Sequence, residues 1–239
     1  MQESGRQTGQ KAREGTLMLG VDTCGPVGTV ALGRLAGERF ELLGQVELEG
    51  RSYSTTLVAA VGKLLEGAGL ALKAVDAMVA VHGPGSFTGV RVGLSAVKGL
   101  GEATGIPVVA ISRLEVMAAK AGVGSSALDA HRNEVFLRLG GQGADARELL
   151  AGAEELAGLG SDGRRIALCD EAAGQLLARF WPGVEVVETA APTAADALEL
   201  CAARVVAGDF VDLALLDGHY LRRSDAEIFG DSAAAGLRR

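Results

Sequence analysis

Asp22-Thr23 ends a short apolar run, residues 17–22, and stands beside the turn-like Cys24-Gly25-Pro26. A carboxylate and a hydroxyl so placed suit a magnesium-bound phosphate, and they equally suit an Asx turn that steadies the loop. Further on, Gly83-Pro84-Gly85-Ser86-Phe87-Thr88-Gly89 separates an apolar run from a helical segment. Backbone N–H groups and the helix dipole can receive an anion at such a junction, whereas the plainer reading is a tight strand-to-helix turn. The spacing fits no familiar phosphate loop. A Walker A loop ends in Gly-Lys-Ser/Thr, but Thr88-Gly89-Val90 stands here, and the glycines at 83, 85 and 89 miss G-x-G-x-x-G. Ser86 lacks the flanking glycines of a nucleophile elbow. His82, His131 and His219 are far apart and form no metal-ligand spacing. Cys24, Cys169 and Cys201 are an odd set without C-x-x-C, so neither a disulfide framework nor a thiolate metal site follows. No Ser–His–Asp or Cys–His arrangement emerges.

The elements that must position these residues read as α/β. Residues 17–22 and Val27–Leu32 are two strands joined by a tight loop, and Glu38–Glu49 alternates as a third. From Ser52 the period changes: Leu57, Val58, Val61, Leu64 and Leu65 mark one face of a helix, capped by Ser52 or Ser54 and stopped at Gly67 and Gly69. Val75–Val81 is a buried strand, the glycine loop leads into a second helix ending near Thr104, and Val108–Ile111 is another strand. In that helix Gly89, Gly93 and Ala96 share one side, and Val90, Leu94, Val97 and Gly101 share another. A helix glycine costs roughly 0.8–1 kcal/mol relative to alanine, so Gly93, Gly99 and Gly101 require a compensating close approach, internal or from a partner. The second half reads as helix over Leu114–Ala121, strands at Ser126–Asp129 and Glu134–Leu139, and a loop at Gly140–Gly143. Strand Ile166–Cys169, helix Glu171–Phe180, strand Val184–Val187 and a helix from Thr193 to Ala207 behind Pro192 complete it. A boundary near 108–113 separates two lobes with mixed sheets.

Composition narrows the class. The chain has 239 residues, 48% hydrophobic, so it can bury a core and is no disordered protein. Aromatics are 4% against 35 glycines, which leaves little base-stacking surface. A formal charge of −7 argues against a free-standing nucleic-acid binder, so RNA contact would be shared with a partner. No apolar run approaches the roughly 20 residues of a membrane span. The polar opening, residues 1–16, reads as a frayed tail and not as a signal peptide, so the expected location is the cytoplasm.

Several segments together resemble the bacterial TsaB (YeaZ) family. They are Gly20-Val21-Asp22-Thr23 with Thr29–Leu32, the loop Gly83–Gly89 with Val90-Arg91-Val92-Gly93, Asp129–Phe136, and Tyr220-Leu221-Arg222. The resemblance implies an actin/Hsp70/sugar-kinase type of fold, two related mixed α/β lobes. It divides the chain into a first lobe over 17–110, a second over 111–218, and a segment 219–239 that returns toward the first. It also implies a non-catalytic scaffold for threonylcarbamoyl transfer to adenosine 37 of tRNAs that read A-starting codons. Such a scaffold binds the paralogue TsaD and the ATPase TsaE, forms a homodimer when TsaD is absent, and meets tRNA only through the complex. Its contact surface would be the two first-lobe helices, carried here by Leu57, Val58, Val61, Leu65, Gly89, Val90, Gly93, Leu94 and Val97. The family loop corresponds to Gly83, Pro84, Gly85, Ser86, Phe87, Thr88 and Arg91. Arg113 and Met117 stand where TsaD carries its metal-binding histidines. An arginine stays protonated and a thioether is a soft donor, so no metal and no required cofactor are expected, with ATP or ADP entering only within the complex. Two departures are Tyr53-Ser54-Thr55-Thr56 in place of H-S-E-R, and Gly25 in place of a threonine. The alternative is an independent ATP-binding or ATP-hydrolysing enzyme that uses Asp22, and a metallopeptidase ranks behind both.

Overall fold

A computed structural model describes residues 15–49, 53–140, 146–161 and 163–222 as two sheets built to one plan. In the first, β1 (Thr16–Asp22), β2 (Val27–Ala36) and β3 (Arg39–Glu49) form an antiparallel meander. On the other side of β1, β4 (Ala77–Val81) and then β5 (Val108–Ile111) add in parallel. The crossovers are α1 (Tyr53–Gly67) and α2 (Phe87–Thr104). After α3 (Arg113–Lys120) the plan repeats with the meander β6 (Ser125–Asp129), β7 (Val135–Leu139) and β8 (Arg147–Ala151). There β9 (Arg165–Leu168) and β10 (Glu185–Glu188) are the parallel strands, with α4 (Ala153–Leu159) and α5 (Glu171–Phe180) as crossovers. The strand orders β3-β2-β1-β4-β5 and β8-β7-β6-β9-β10 are the same topology twice.

The strand sequences explain their places. β4 (AMVAV) is buried throughout, as expected of a parallel strand covered on both faces. One cover is α1 with α2, and the other is α6 (Ala194–Ala207), which packs across β1, β2 and β4. Gly20 permits this, because a Cβ there would lie 2.9 Å from Leu198 Cγ and 2.8 Å from the Ala194 carbonyl oxygen. Thr193 caps α6 by accepting from the Asp196 N–H, and the Ala194 N–H donates to Thr29 Oγ1 at 2.7 Å. In the second lobe α3 covers one face of the sheet through Leu114 and Met117. Leu156, Leu177 and Trp181 pack on the other face, where the indole N–H donates to the Leu156 carbonyl at 2.7 Å. The layers therefore run α1/α2, first sheet, α6 with α3, second sheet, α4/α5.

Three differences from the sequence reading matter. β8 and α4 lie in a stretch where no element is expected from the sequence. Helix α6, within the span 111–218 given to the second lobe, is part of the first lobe's core through Ala194, Leu198 and Cys201. Helix α1 begins at Tyr53 with Ser54 inside it, so Ser54 is not its cap. Ser52, most of the polar tail and residues 141–143 of the expected loop lie outside the described residues, as does 223–239.

Candidate functional site

A cleft of about 1200 Å³ opens between the two sheets, lined among others by Gly25, Phe87, Arg91, Arg113, Arg132 and Tyr220. Its floor is the β1–β2 turn, and there Asp22 and Thr23 are 1% exposed. Asp22 Oδ1 accepts the Cys24 N–H at 2.8 Å, and Oδ2 faces Arg113 Nε at 3.4 Å. Thr23 donates its hydroxyl to the Gly89 carbonyl at 2.7 Å. Both residues expected to suit a phosphate, Asp22 and Thr23, are thus engaged in contacts inside the protein. The Asx-turn alternative is the one the geometry realises.

Arg113 is the residue that closes this site. Burial works against its charge, yet the Asp22 carboxylate beside it more than offsets that, and the guanidinium is held above its ordinary value. Gly25 makes the room: a Cβ there would fall within 3.0 Å of the Arg113 guanidinium. Burial, then the Asp22 charge, push the Cys24 thiol well up, so it stays protonated. Tyr53 braces the same turn by donating to the Gly25 carbonyl at 2.8 Å, and burial raises its hydroxyl to about 12. A permanently protonated guanidinium and the buried thioether of Met117 are not a donor set for a dication. Arg113 and Met117 therefore do not suit the metal-ligand positions that the resemblance gives them.

The glycine loop proves to be a turn. Ser86 N–H donates to the Cys24 carbonyl at 2.8 Å, and Ser86 Oγ caps α2 by accepting the Gly89 N–H at 3.2 Å. The Val90 N–H bonds the Ser86 carbonyl at 2.9 Å, so these donors are not available to an anion. Gly85 lets the loop touch the first turn, since a Cβ there would lie within 3.0 Å of the Cys24 carbonyl.

The nine residues expected to face a partner are mostly core. Leu57, Val61, Leu65, Val90, Leu94 and Val97 are 5% exposed or less, and Gly89 and Gly93 are buried as well. Only Val58, at 61%, faces outward. The cost of Gly89, Gly93 and Gly101 is recovered within the chain. A Cβ at Gly89 would meet the Thr23 carbonyl, at Gly93 the Thr23 hydroxyl, and at Gly101 the Leu213 side chain at 2.7 Å. Gly62 on α1 and Gly99 on α2 differ: nothing lies within 4 Å of a Cβ at either.

Sequence reasoning missed a carboxylate of the second sheet that reaches the stretch after α6. Glu148 on β8 accepts from Ser112 Oγ at 2.7 Å and from Arg138 Nη1 at 2.7 Å, and meets His219 Nε2 at 2.8 Å. Burial raises its pKa, but these partners outweigh burial and hold it below the ordinary value. The neighbouring His82 is depressed to about 4 by burial and then by the His219 charge. Unfolded, that ring takes a proton near pH 6.5, so acid favours the unfolded chain between about 6.5 and 4. We expect stability to fall by about 3 kcal/mol across that window. Urea midpoints at pH 7, 5.5 and 4.5 measure it, and His82→Gln should flatten the slope.

With the geometry described, comparison gives it relatives. The duplicated sheet and the cleft between its copies define a two-lobed protein of the actin/Hsp70/sugar-kinase type. The family model "TsaD: tRNA N6-adenosine threonylcarbamoyltransferase" matches residues 47–157. The chain is 36% identical over 125 residues to the tRNA threonylcarbamoyladenosine biosynthesis protein TsaB of Haemophilus influenzae, covering 50% of this chain and 51% of that one. It is 36% identical over 93 residues to the TsaB of Bacillus subtilis, 37% and 41% of the two chains. The chain thus spans about half the length of the curated relatives it matches, or less. The YeaZ structure from Pseudomonas aeruginosa superposes with a TM-score of 0.68 at 28% identity, covering 86% of this chain and all of that one. The chain is a relative of the TsaB (YeaZ) proteins. Among the described residues no helix is long and apolar enough to cross a membrane.

Proposed function

We propose that this chain is a non-catalytic subunit of the machinery that makes threonylcarbamoyladenosine in tRNA, and that it works by docking onto a TsaD-type transferase, with a TsaE-type ATPase joining the pair. The names of its relatives point to that pathway, and the Asp22–Arg113 pair supports the non-catalytic part of the reading. The buried Arg113 guanidinium stands against Asp22, the carboxylate that the ATPase alternative would use.

The docking surface is the outer side of α1 and α2, not the buried stripe. Val58, Ala59, Gly62 and Gly99 are exposed there. A helix glycine with open space above it loses about 1 kcal/mol relative to alanine and regains nothing inside the chain. Gly62 and Gly99 are explained if another helix approaches closely at those points. The same face would serve a second copy of this chain when the transferase is absent. Tested alone, Gly62→Leu and Gly99→Ala should melt at or slightly above the parent temperature. Titrated against the cognate transferase, Val58→Glu and Gly62→Leu should lose at least about tenfold in affinity. Unchanged affinity in both would remove the interface. A tRNA-modification assay with and without the chain, together with phosphate release by the chain alone, separates the scaffold from the ATPase.

A further inference from the structure

The stretch after α6 has a part to play that docking does not use. It runs back along the first lobe, where the Val211 N–H donates to the Val108 carbonyl at 2.8 Å. Leu216 is buried, and its carbonyl accepts from Lys98 Nζ at 3.0 Å. From there the contacts alternate between lobes. The His219 N–H donates to the His82 carbonyl at 2.7 Å, while its ring reaches Glu148 of the second sheet. Tyr220 turns to the first lobe, with its ring 5.3 Å from Phe87 and its hydroxyl taking the Arg91 Nε–H at 3.2 Å. Arg222 turns to the second, pairing with Glu134 and donating to the His131 carbonyl at 3.4 Å. The segment His131–Asn133 that receives it is a tip of consecutive left-handed residues, φ 60, 55 and 59°. That conformation costs energy and persists only where surroundings fix it. Three of the segments singled out in the sequence, Phe87–Arg91, Asp129–Phe136 and Tyr220–Arg222, therefore meet in one place.

We propose that residues 216–222 are a clasp that fastens the second lobe to the first across the mouth of the cleft, and so sets how far the cleft opens. A mere tail would be held by one lobe; this one is held by both, at residues that alternate along it. Its links are partly exposed, and such ion pairs are individually weak and salt-sensitive. The fastening can therefore be undone without unfolding either sheet. This inference stands apart from the docking partner proposed above.

Hydrogen exchange on the full chain tests it, comparing the parent with Glu134→Gln/Arg222→Gln, surface changes that leave both cores intact. We expect the His219 amide to exchange about tenfold faster, together with peptides from both cleft walls, 84–91 and 128–133. The radius of gyration by X-ray scattering should rise while the melting temperature holds. High salt should loosen the parent and leave the variant unmoved. Faster exchange in the strap with unchanged walls would reduce it to a tail and overturn the proposal, as would no change in either.

Discussion

Asp22→Ala is expected to destabilise the chain by about 3–5 kcal/mol, because it leaves the Arg113 charge buried without its partner. Asp22 and Arg113 side chains are only 2% and 7% exposed, so water cannot substitute for the lost carboxylate. Removing both charges should cost far less than removing one: Asp22→Ala/Arg113→Leu should recover most of the loss, since a well-packed apolar pair often equals a buried ion pair. Urea denaturation of the three variants measures the coupling. A carboxylate kept for metal or phosphate would behave in the opposite way, its removal leaving stability level or raised.

The second large effect is Gly89→Ala, for which a loss of about 3 kcal/mol is expected from overpacking. The added methyl would fall within 3.0 Å of the Thr23 carbonyl, a backbone atom pinned in β1's exit turn. Gly93→Ala meets the Thr23 hydroxyl instead, at the end of a side chain. Thr23→Ala should therefore rescue part of Gly93→Ala and none of Gly89→Ala. Thermal melts of the single and double variants decide it. Equal rescue of both would place the strain elsewhere.

The same residues show what a sequence can and cannot say. Strand β4 was legible because a continuous apolar run between turn signals has few other uses. β8 and α4 were not, since RELLA and AEELAGL alternate weakly and are diluted by alanine and glycine. The stripe Leu57, Val61 and Leu65 is legible as one helix face, and in the structure the first lobe's own core covers it. Periodicity marks an apolar face without saying what covers it. Gly89 and Gly99 look alike in sequence and differ only in what lies above them, the Thr23 carbonyl or open space. The Asp22–Arg113 contact joins residues 91 apart, a pairing no local spacing announces. The fold-level resemblance was legible because its motifs are long; the chemistry of the cleft floor needed coordinates.

Helix α6 has a consequence for how the chain is made. It seals one face of the first sheet, through contacts such as Leu198 over Gly20 in β1. A ribosome delivers that strand well before the helix, with the whole second sheet made in between, so the first sheet waits with an uncovered apolar surface through that interval. A fragment stopped at residue 110 should come out as a chaperone-bound or aggregating half, and not as a freestanding module. The two lobes repeat one topology, yet the first reaches maturity only when the second is already complete.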